Sequence, residues 1–430
     1  MTINWKSLET EFKELINQIL TEAQTATKFV LGDIFFSTSE DGFVSLSGKS
    51  YDKYISIFQY VINEKCKSGL MSKRFIEQQI NKVILKTLDL NKKNPEISLD
   101  QKLQTFLFEF RNSIGKKSHD YLLYYPVHGL SKDGLPWKIG AIEFFVFQEK
   151  HLYELELKQK KSDSVDIKAF KQQEIEIMRK QNIFDSVFAK IKIKSCDRDA
   201  AEELAANYLL YYLDILNFFI GLIPYSNGFI YMPGFASTES IFSPIKSFEV
   251  KWTTLLRHQT VGPLSQISLL NLEKANIENK YGLRKLKRII EKPNDLQKLI
   301  LTSMRWAGKA WENKIRNRKE DSFLNYAIAL ESIILPDIRH ELTYRLSIRL
   351  SHLLSKSKGF RFKNSKNIEK LYNLRGNIVH DGSCEISNAN LSKIEHLARN
   401  AIIHIFRDKP FSSMQTIKDL VLWFENRILR

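Results

Sequence analysis

Two stretches decide how this chain is read: Phe323-Leu-Asn-Tyr-Ala-Ile-Ala-Leu-Glu331-Ser-Ile-Ile-Leu335, and Ser365-Lys-Asn-Ile-Glu-Lys-Leu-Tyr-Asn-Leu-Arg375-Gly-Asn-Ile-Val-His380. In the second, Ile368, Leu371, Tyr372, Ile378 and Val379 recur at helical spacing, and Arg375 falls inside their stripe. In the first, Leu324, Ala327, Ile328, Ile334 and Leu335 form the stripe, and Glu331 falls inside it. Each helix therefore carries one charge on its apolar face, and the signs are opposite. A charge there is costly unless it is paired and hydrogen-bonded, which makes Glu331 the candidate partner of Arg375. Two roles stay open for the pair: fixing helix register, or orienting Arg375 beside a reactive histidine. His380 lies five residues after Arg375, about 140° further round an ideal helix. The two side chains converge only if the helix frays at Asp381-Gly382 or if two copies of the chain meet. A histidine at a helix C-terminus also has a plainer role, complementing the helix dipole.

Outward from these stretches the pattern stays helical. Apolar periods run over 296–317, 321–335, 338–355, 365–380, 388–407 and 414–428. Pro336 closes one helix, Gly359 lies beyond another, and Asp381-Gly382 stops a fourth. Residues 281–430 hold 29 basic and 15 acidic side chains, whereas residues 1–280 hold 36 and 34. The helical part thus carries nearly all of the formal +16. Such asymmetry points to a phosphate-rich partner through counterion release, with RNA, DNA and an anionic membrane all open on charge alone. Within it, Lys356, Lys358, Arg361, Lys363 and Lys366 alternate with Phe360 and Phe362. Cations can hold phosphates and aromatics can stack on unpaired bases, so these five are the nucleic-acid-binding candidates. Lys285, Lys287, Arg288, Arg305, Arg316 and Arg318 are further cations that can follow a phosphate backbone. Arg345, Arg349 and His352 share a helix face with Glu341, which reads as a solvated, salt-bridged surface.

Residues 1–280 read as α+β. Helical patterns occupy 3–25, 51–65, 71–90 and 101–111, and Phe29-Val30-Leu31 and Phe43-Val44-Ser45-Leu46 around Asp41-Gly42 suggest a hairpin. Beyond about 115 the chain turns β-rich at Tyr121 to Tyr125, Ile142 to Phe147 and 187–193, with 151–157 as a further strand candidate. Asp133-Gly134-Leu135-Pro136 marks a turn. Helices are expected at 166–182 and from Arg198 to about Gly221. The expectation is a mixed α+β region at 1–280, divided near 115, followed by an all-α bundle at 281–430.

Composition narrows the class. With 43% apolar and 27% charged residues the chain is a folded protein, not a disordered or collagenous one. Three cysteines, Cys66, Cys196 and Cys384, include no CxxC pair, which argues against a disulfide framework and a thiolate zinc site and favours a reducing compartment. The N-terminal residues lack the basic and apolar regions of a signal peptide, so a cytoplasmic location is expected. The longest apolar run, Tyr208 to Tyr225, contains Asp214 and reads as a core helix rather than a membrane span. Gly48-Lys49-Ser50 is not a P-loop, because Phe43 stands where the first glycine is needed. No HExxH, GxSxG or carboxylate cluster occurs, so neither metal nor cofactor is expected.

Residues 296–407 resemble the HEPN superfamily, and within it the Apea-like group. The resemblance rests on Ala329-Leu330-Glu331-Ser332 within its helix, on Glu341-Leu-Thr-Tyr-Arg-Leu-Ser-Ile-Arg-Leu350, and on Leu371 to Gly382 with its Ile-Val-His-Asp-Gly ending. The family's motif is an Arg, four to six residues, and a His; Arg375 and His380 fit it. Gly376 stands where many members carry Asn, Asp or His, although Apea-like members often have a small residue there. The resemblance implies a HEPN-type bundle and a metal-independent endoribonuclease, with RNA as partner and homodimerisation through the helical domain. It implies Arg375 and His380 as catalytic residues, with Asn377 and Glu331 in support. Residues 1–280 would then be a sensor or regulatory region for an unidentified trigger, in a defence or toxin-like protein. The alternative is a non-catalytic module of the same fold that binds RNA or a protein.

Overall fold

The computed structural model describes residues 3–25, 34–37, 43–46, 48–65, 71–115, 118–151, 176, 179, 184–224, 226–232, 241–244, 266–278, 281–338, 340–355, 357–381 and 385–429. A mixed α+β region comes first, and an all-α bundle follows it. The helices are α1 (Trp5–Thr25), α2 (Gly48–Lys65), α3 (Lys73–Lys93), α4 (Leu99–Ile114), α5 (Arg198–Ile220), α6 (Leu269–Glu278) and α7 (Leu283–Ile289). The bundle adds α8 (Asp295–Ile315), α9 (Lys319–Ile334), α10 (Leu342–Leu354), α11 (Lys358–Asp381), α12 (Asn388–Arg407) and α13 (Ile417–Ile428). The strands are β1 (Ile34–Ser37), β2 (Phe43–Leu46), β3 (His119–Pro126), β4 (Trp137–Ile139), β5 (Ile142–Val146), β6 (Val187–Ser195) and β7 (Ile241–Pro244). The first two form an antiparallel hairpin and the other five a sheet in the order β4-β5-β6-β3-β7.

By contacts the chain groups into two compact units. The first comprises Met1–Leu123, Lys192–Ala205 and Phe242–Glu249; the second comprises Tyr124–Ile191, Ala206–Ile241 and Val250–Arg430. In the first, α1–α4 bury Phe12, Leu15, Ile16, Tyr54, Ile80, Leu103 and Phe110 in one core. Phe12 meets Phe110 edge-on at 5.7 Å between ring centroids. Asp197 caps α5 by accepting from the Ala200 amide, and it also accepts from both the amide and the hydroxyl of Ser72, which itself caps α3.

In the second unit, β5 pairs antiparallel with β4 and β6, matching Phe144 to Trp137 and to Ala189. Helix α9 is buried on most of its circumference, the mark of a central helix. Ser303 and Ser322 let α8 and α9 approach closely: their hydroxyls donate to Ala329 O at 2.6 Å and Ala310 O at 2.7 Å. Gly308 of α8 faces the Asp214 carbonyl of α5, with no room for a Cβ. Capping boxes start α8 at Asn294/Gln297 and α13 at Thr416/Asp419, satisfying amides that the helix itself leaves free.

Several expectations need correction. Gly359 lies beyond the helix that precedes it, as expected, but the next helix starts at Lys358 rather than 365, so Gly359 falls in the first turn of α11, where an added Cβ would meet nothing within 4 Å. The helix preceding it starts at Leu342, not 338. The first hairpin strand is Ile34–Ser37, while Phe29 to Leu31 and Asp41-Gly42 lie outside the described residues. His151 sits in a helical turn; 152–157 and nearly all of the helix expected at 166–182 also lie outside them. Arg349 is not on a solvated face. It is buried, forms a two-pronged pair with Asp337 at 2.6 and 3.0 Å, and donates to Ile334 O. His352 is half-buried with its Nδ1 unpartnered, and burial lowers its pKa, as do Arg361 and Arg427. Only Arg345, paired with Glu341 at 3.1 Å, keeps the expected exposed role. Among the described residues, no helix is long and apolar enough to cross a membrane, and α5 is a core helix.

Candidate functional site

The site is built on α9 and α11. Helix α11 buries Ile368, Leu371, Tyr372 and Ile378. That burial turns Arg375 toward α9, where its Nε lies 3.2 Å from Glu331 Oε1. The side chains are 28% and 21% exposed, so the pair is half-buried rather than sealed. The Tyr372 hydroxyl donates to the same carboxylate oxygen. Burial drives the Tyr372 pKa well above the ordinary phenol range, and the Glu331 carboxylate drives it further, against the pull of Arg375. Tyr372 thus stays protonated and remains a donor. Glu331 is approached from two directions, by the Tyr372 hydroxyl and by Arg375 Nε. The Arg375 side chain is partly exposed, and a planar guanidinium fork is suited to grip a phosphate.

His380 is exposed in the last turn of α11, where a cation complements the helix dipole. The helix continues through Asp381, so it does not fray before the histidine. Arg375 points inward to α9, and His380 lies about 140° away on the outer face. Within one chain the two do not meet. Asn377 is exposed beside them. Gly376 opens onto free space, with no atom within 4 Å of an added Cβ.

The binding candidates divide. Lys358, Lys363 and Lys366 are exposed on the first turns of α11, Arg361 is half-buried and donates to Ser355 O at 3.1 Å, and Lys356 lies outside the described residues. Phe360 and Phe362 are 66% and 72% exposed. The earlier cations are largely spent on internal contacts. Lys285 bonds Phe406 O, Lys287 pairs with Glu273 and lies 4.3 Å over Trp137, Arg305 pairs with Asp214 at 3.2 Å, and Arg316 pairs with Glu312 at 2.8 Å.

The periodicity reading missed a polar cluster in the bundle core. Arg399 pairs with Glu395 at 2.8 Å, donates to Gly221 O, reaches the buried Tyr326 hydroxyl and stacks 4.9 Å over Trp311. Lys314 joins it at Glu395. Its sequence signal was there: Glu395 and Arg399 stand one turn apart within the apolar stripe of Leu391, Ile394, Ala398 and Ile402. Its groups bind one another, so it holds helices together and offers no fork to a ligand. Asp214, at the α5–α8 contact, is pushed up to about 7 by burial, against Lys309 and Arg305. Of the cysteines, Cys196 is a half-buried free thiol; Cys66 and Cys384 lie outside the described residues. Among the described residues, no group of three His, Cys, Asp or Glu side chains is placed to hold a metal ion. Compared with protein-family models, curated proteins and solved structures, the chain has no match.

Proposed function

We propose that the helical region at 281–430 is a HEPN-type endoribonuclease of the Apea-like kind. The observation that carries this reading is Arg375, partly exposed beside Glu331 at 3.2 Å, on the same helix as an exposed His380. In this mechanism the RNA 2′-hydroxyl attacks the adjacent phosphorus and the 5′-oxygen leaves. The products are a 2′,3′-cyclic phosphate and a 5′-hydroxyl. His380 moves the proton, since an imidazole changes charge near neutral pH. Arg375 stays charged and stabilises the extra negative charge on the phosphorane-like state. Asn377, exposed one turn before Asp381, contributes a polar contact to the bound strand. Because the two catalytic side chains diverge on one helix, the site is completed by a second copy, each supplying what the other's helix turns away. Residues 1–280 restrain the nuclease and receive the trigger, as a defence effector requires.

A second reading is a HEPN module that binds RNA without cutting it, favoured by the divergence of Arg375 and His380. Purified full-length protein is incubated with end-labelled RNA in EDTA, beside His380→Ala. Cleavage that leaves cyclic-phosphate ends and disappears in the variant supports the nuclease. Salt-sensitive binding without cleavage supports the binding module.

A further inference from the structure

The outer face of α11 holds more than the histidine. Phe362 and His380 are eighteen residues apart, which is five whole turns of an ideal helix and about 27 Å. They therefore stand on one line along the helix. Lys366 and Asn373 lie close to that line and are exposed, as are Lys363, Lys370 and Asn377 beside it. Gly376 leaves the line unobstructed. Glu369, an acid close to this line, is paired with Lys366 at 3.1 Å. At its start the line carries a bare phenyl ring, Phe362; Phe360 is also exposed but projects about 160° away, on the other side of the helix.

We infer that this face is a track for unpaired RNA: Phe362 stacks on a base, Lys358, Lys363 and Lys366 hold the backbone, and the strand runs along α11 to His380. A bare ring among cations suits single strands, because every base has a face to stack, whereas duplex bases are already stacked. A second copy of this face is a poor occupant, since Lys358, Lys363, Lys366 and Lys370 would meet their own like charges. A membrane surface is also a poor occupant. A helix lying in one needs a continuous apolar face, and beyond Phe362 this face turns polar at Lys366, Asn373 and Asn377.

The end of the track at His380 rests on the nuclease reading, but the binding does not. The test therefore uses a 2′-O-methyl RNA oligomer, which cannot be cleaved, and full-length protein carrying His380→Ala. Fluorescence anisotropy compares this parent with Phe362→Ala and with Lys363→Gln/Lys366→Gln. Phe362→Ala should weaken single-strand binding by about tenfold. The lysine pair should lower the salt slope by about one to two. Duplex RNA should bind less well and be indifferent to Phe362. The track is overturned if the aromatic variant binds like the parent, if duplex and single strand lose equally, or if no RNA binds. It is also overturned if the aromatic change alters only sedimentation or only binding to phosphatidylserine vesicles. Cleavage by the wild-type chain is scored separately. Its absence, beside phenylalanine-dependent binding, defeats the nuclease and leaves the track standing.

Discussion

Truncating Arg375 separates a structural role from a chemical one. Breaking a fully buried pair from one side costs about 3–5 kcal/mol, while an exposed pair is worth about 0–1 kcal/mol. Arg375 and Glu331 lie between these cases, at 28% and 21% exposure. Glu331 also keeps the Tyr372 hydroxyl as a donor when the guanidinium is gone. The expected loss for Arg375→Ala is therefore about 1–2 kcal/mol, a Tm shift of several degrees at about 2–4 °C per kcal/mol. The chain stays folded. Urea denaturation followed by far-ultraviolet circular dichroism reads the loss, and Tyr372→Phe completes a double-mutant cycle through the shared carboxylate, with a coupling of about 0.5 kcal/mol or more. RNA cleavage should disappear in Arg375→Ala despite the intact fold and stay low in Arg375→Lys, which lacks the fork. Unfolding at 25 °C, or a loss above about 4 kcal/mol, would refute the half-buried pair and make Arg375 a structural residue.

Two glycines give opposite expectations. Gly376→Ala should stabilise by about 1 kcal/mol, because it removes a helix-interior glycine where an added Cβ meets nothing, whereas Gly308→Ala should cost about 3 kcal/mol or more, because its Cβ runs into the Asp214 backbone; a shared sign in thermal melts would contradict both. Asp214 sets a pH dependence. Its folded-state pKa is raised to about 7 from 3.8, so the native chain binds more protons than the unfolded one between these values. This contribution to stability is fully present below pH about 4 and falls as pH rises towards about 7. Asp214→Asn should flatten the urea-midpoint profile across that window and leave the variant more stable at pH 8; a parent whose stability rises through the window would reverse the assignment.

The bundle helices were legible because each buries one stripe, and the apolar period marks a stripe wherever it recurs over several turns. α7 is seven residues and β4 three, too short for a period to declare itself. The start of α11 was placed at 365, too late, because its first turns carry few apolar residues to mark a stripe; Gly359 is tolerated there, since nothing crowds it. Arg349 misled because i, i+4 charge spacing looks the same on a wet face and a buried one. Its true partner, Asp337, lies in the connection before α10. The Glu331–Arg375 pair was legible for the opposite reason, since each charge interrupts an apolar stripe. That the pair would be only half-buried depends on how α9 and α11 lie together, and no local pattern carries that. The Arg399 cluster draws on α8, α9, α12 and the chain just after α5, a convergence that only the folded chain reveals.

The unbroken last turn of α11 has a consequence for how the proposed enzyme would behave in a cell. A helix that keeps Arg375 and His380 on different sides makes a lone polypeptide a half-instrument. If one phosphate needs both, dilute protein is silent, and turnover climbs with the square of its abundance until pairing saturates. Gene dosage, local crowding or a scaffold that gathers copies would then set the threshold for damage to cellular RNA.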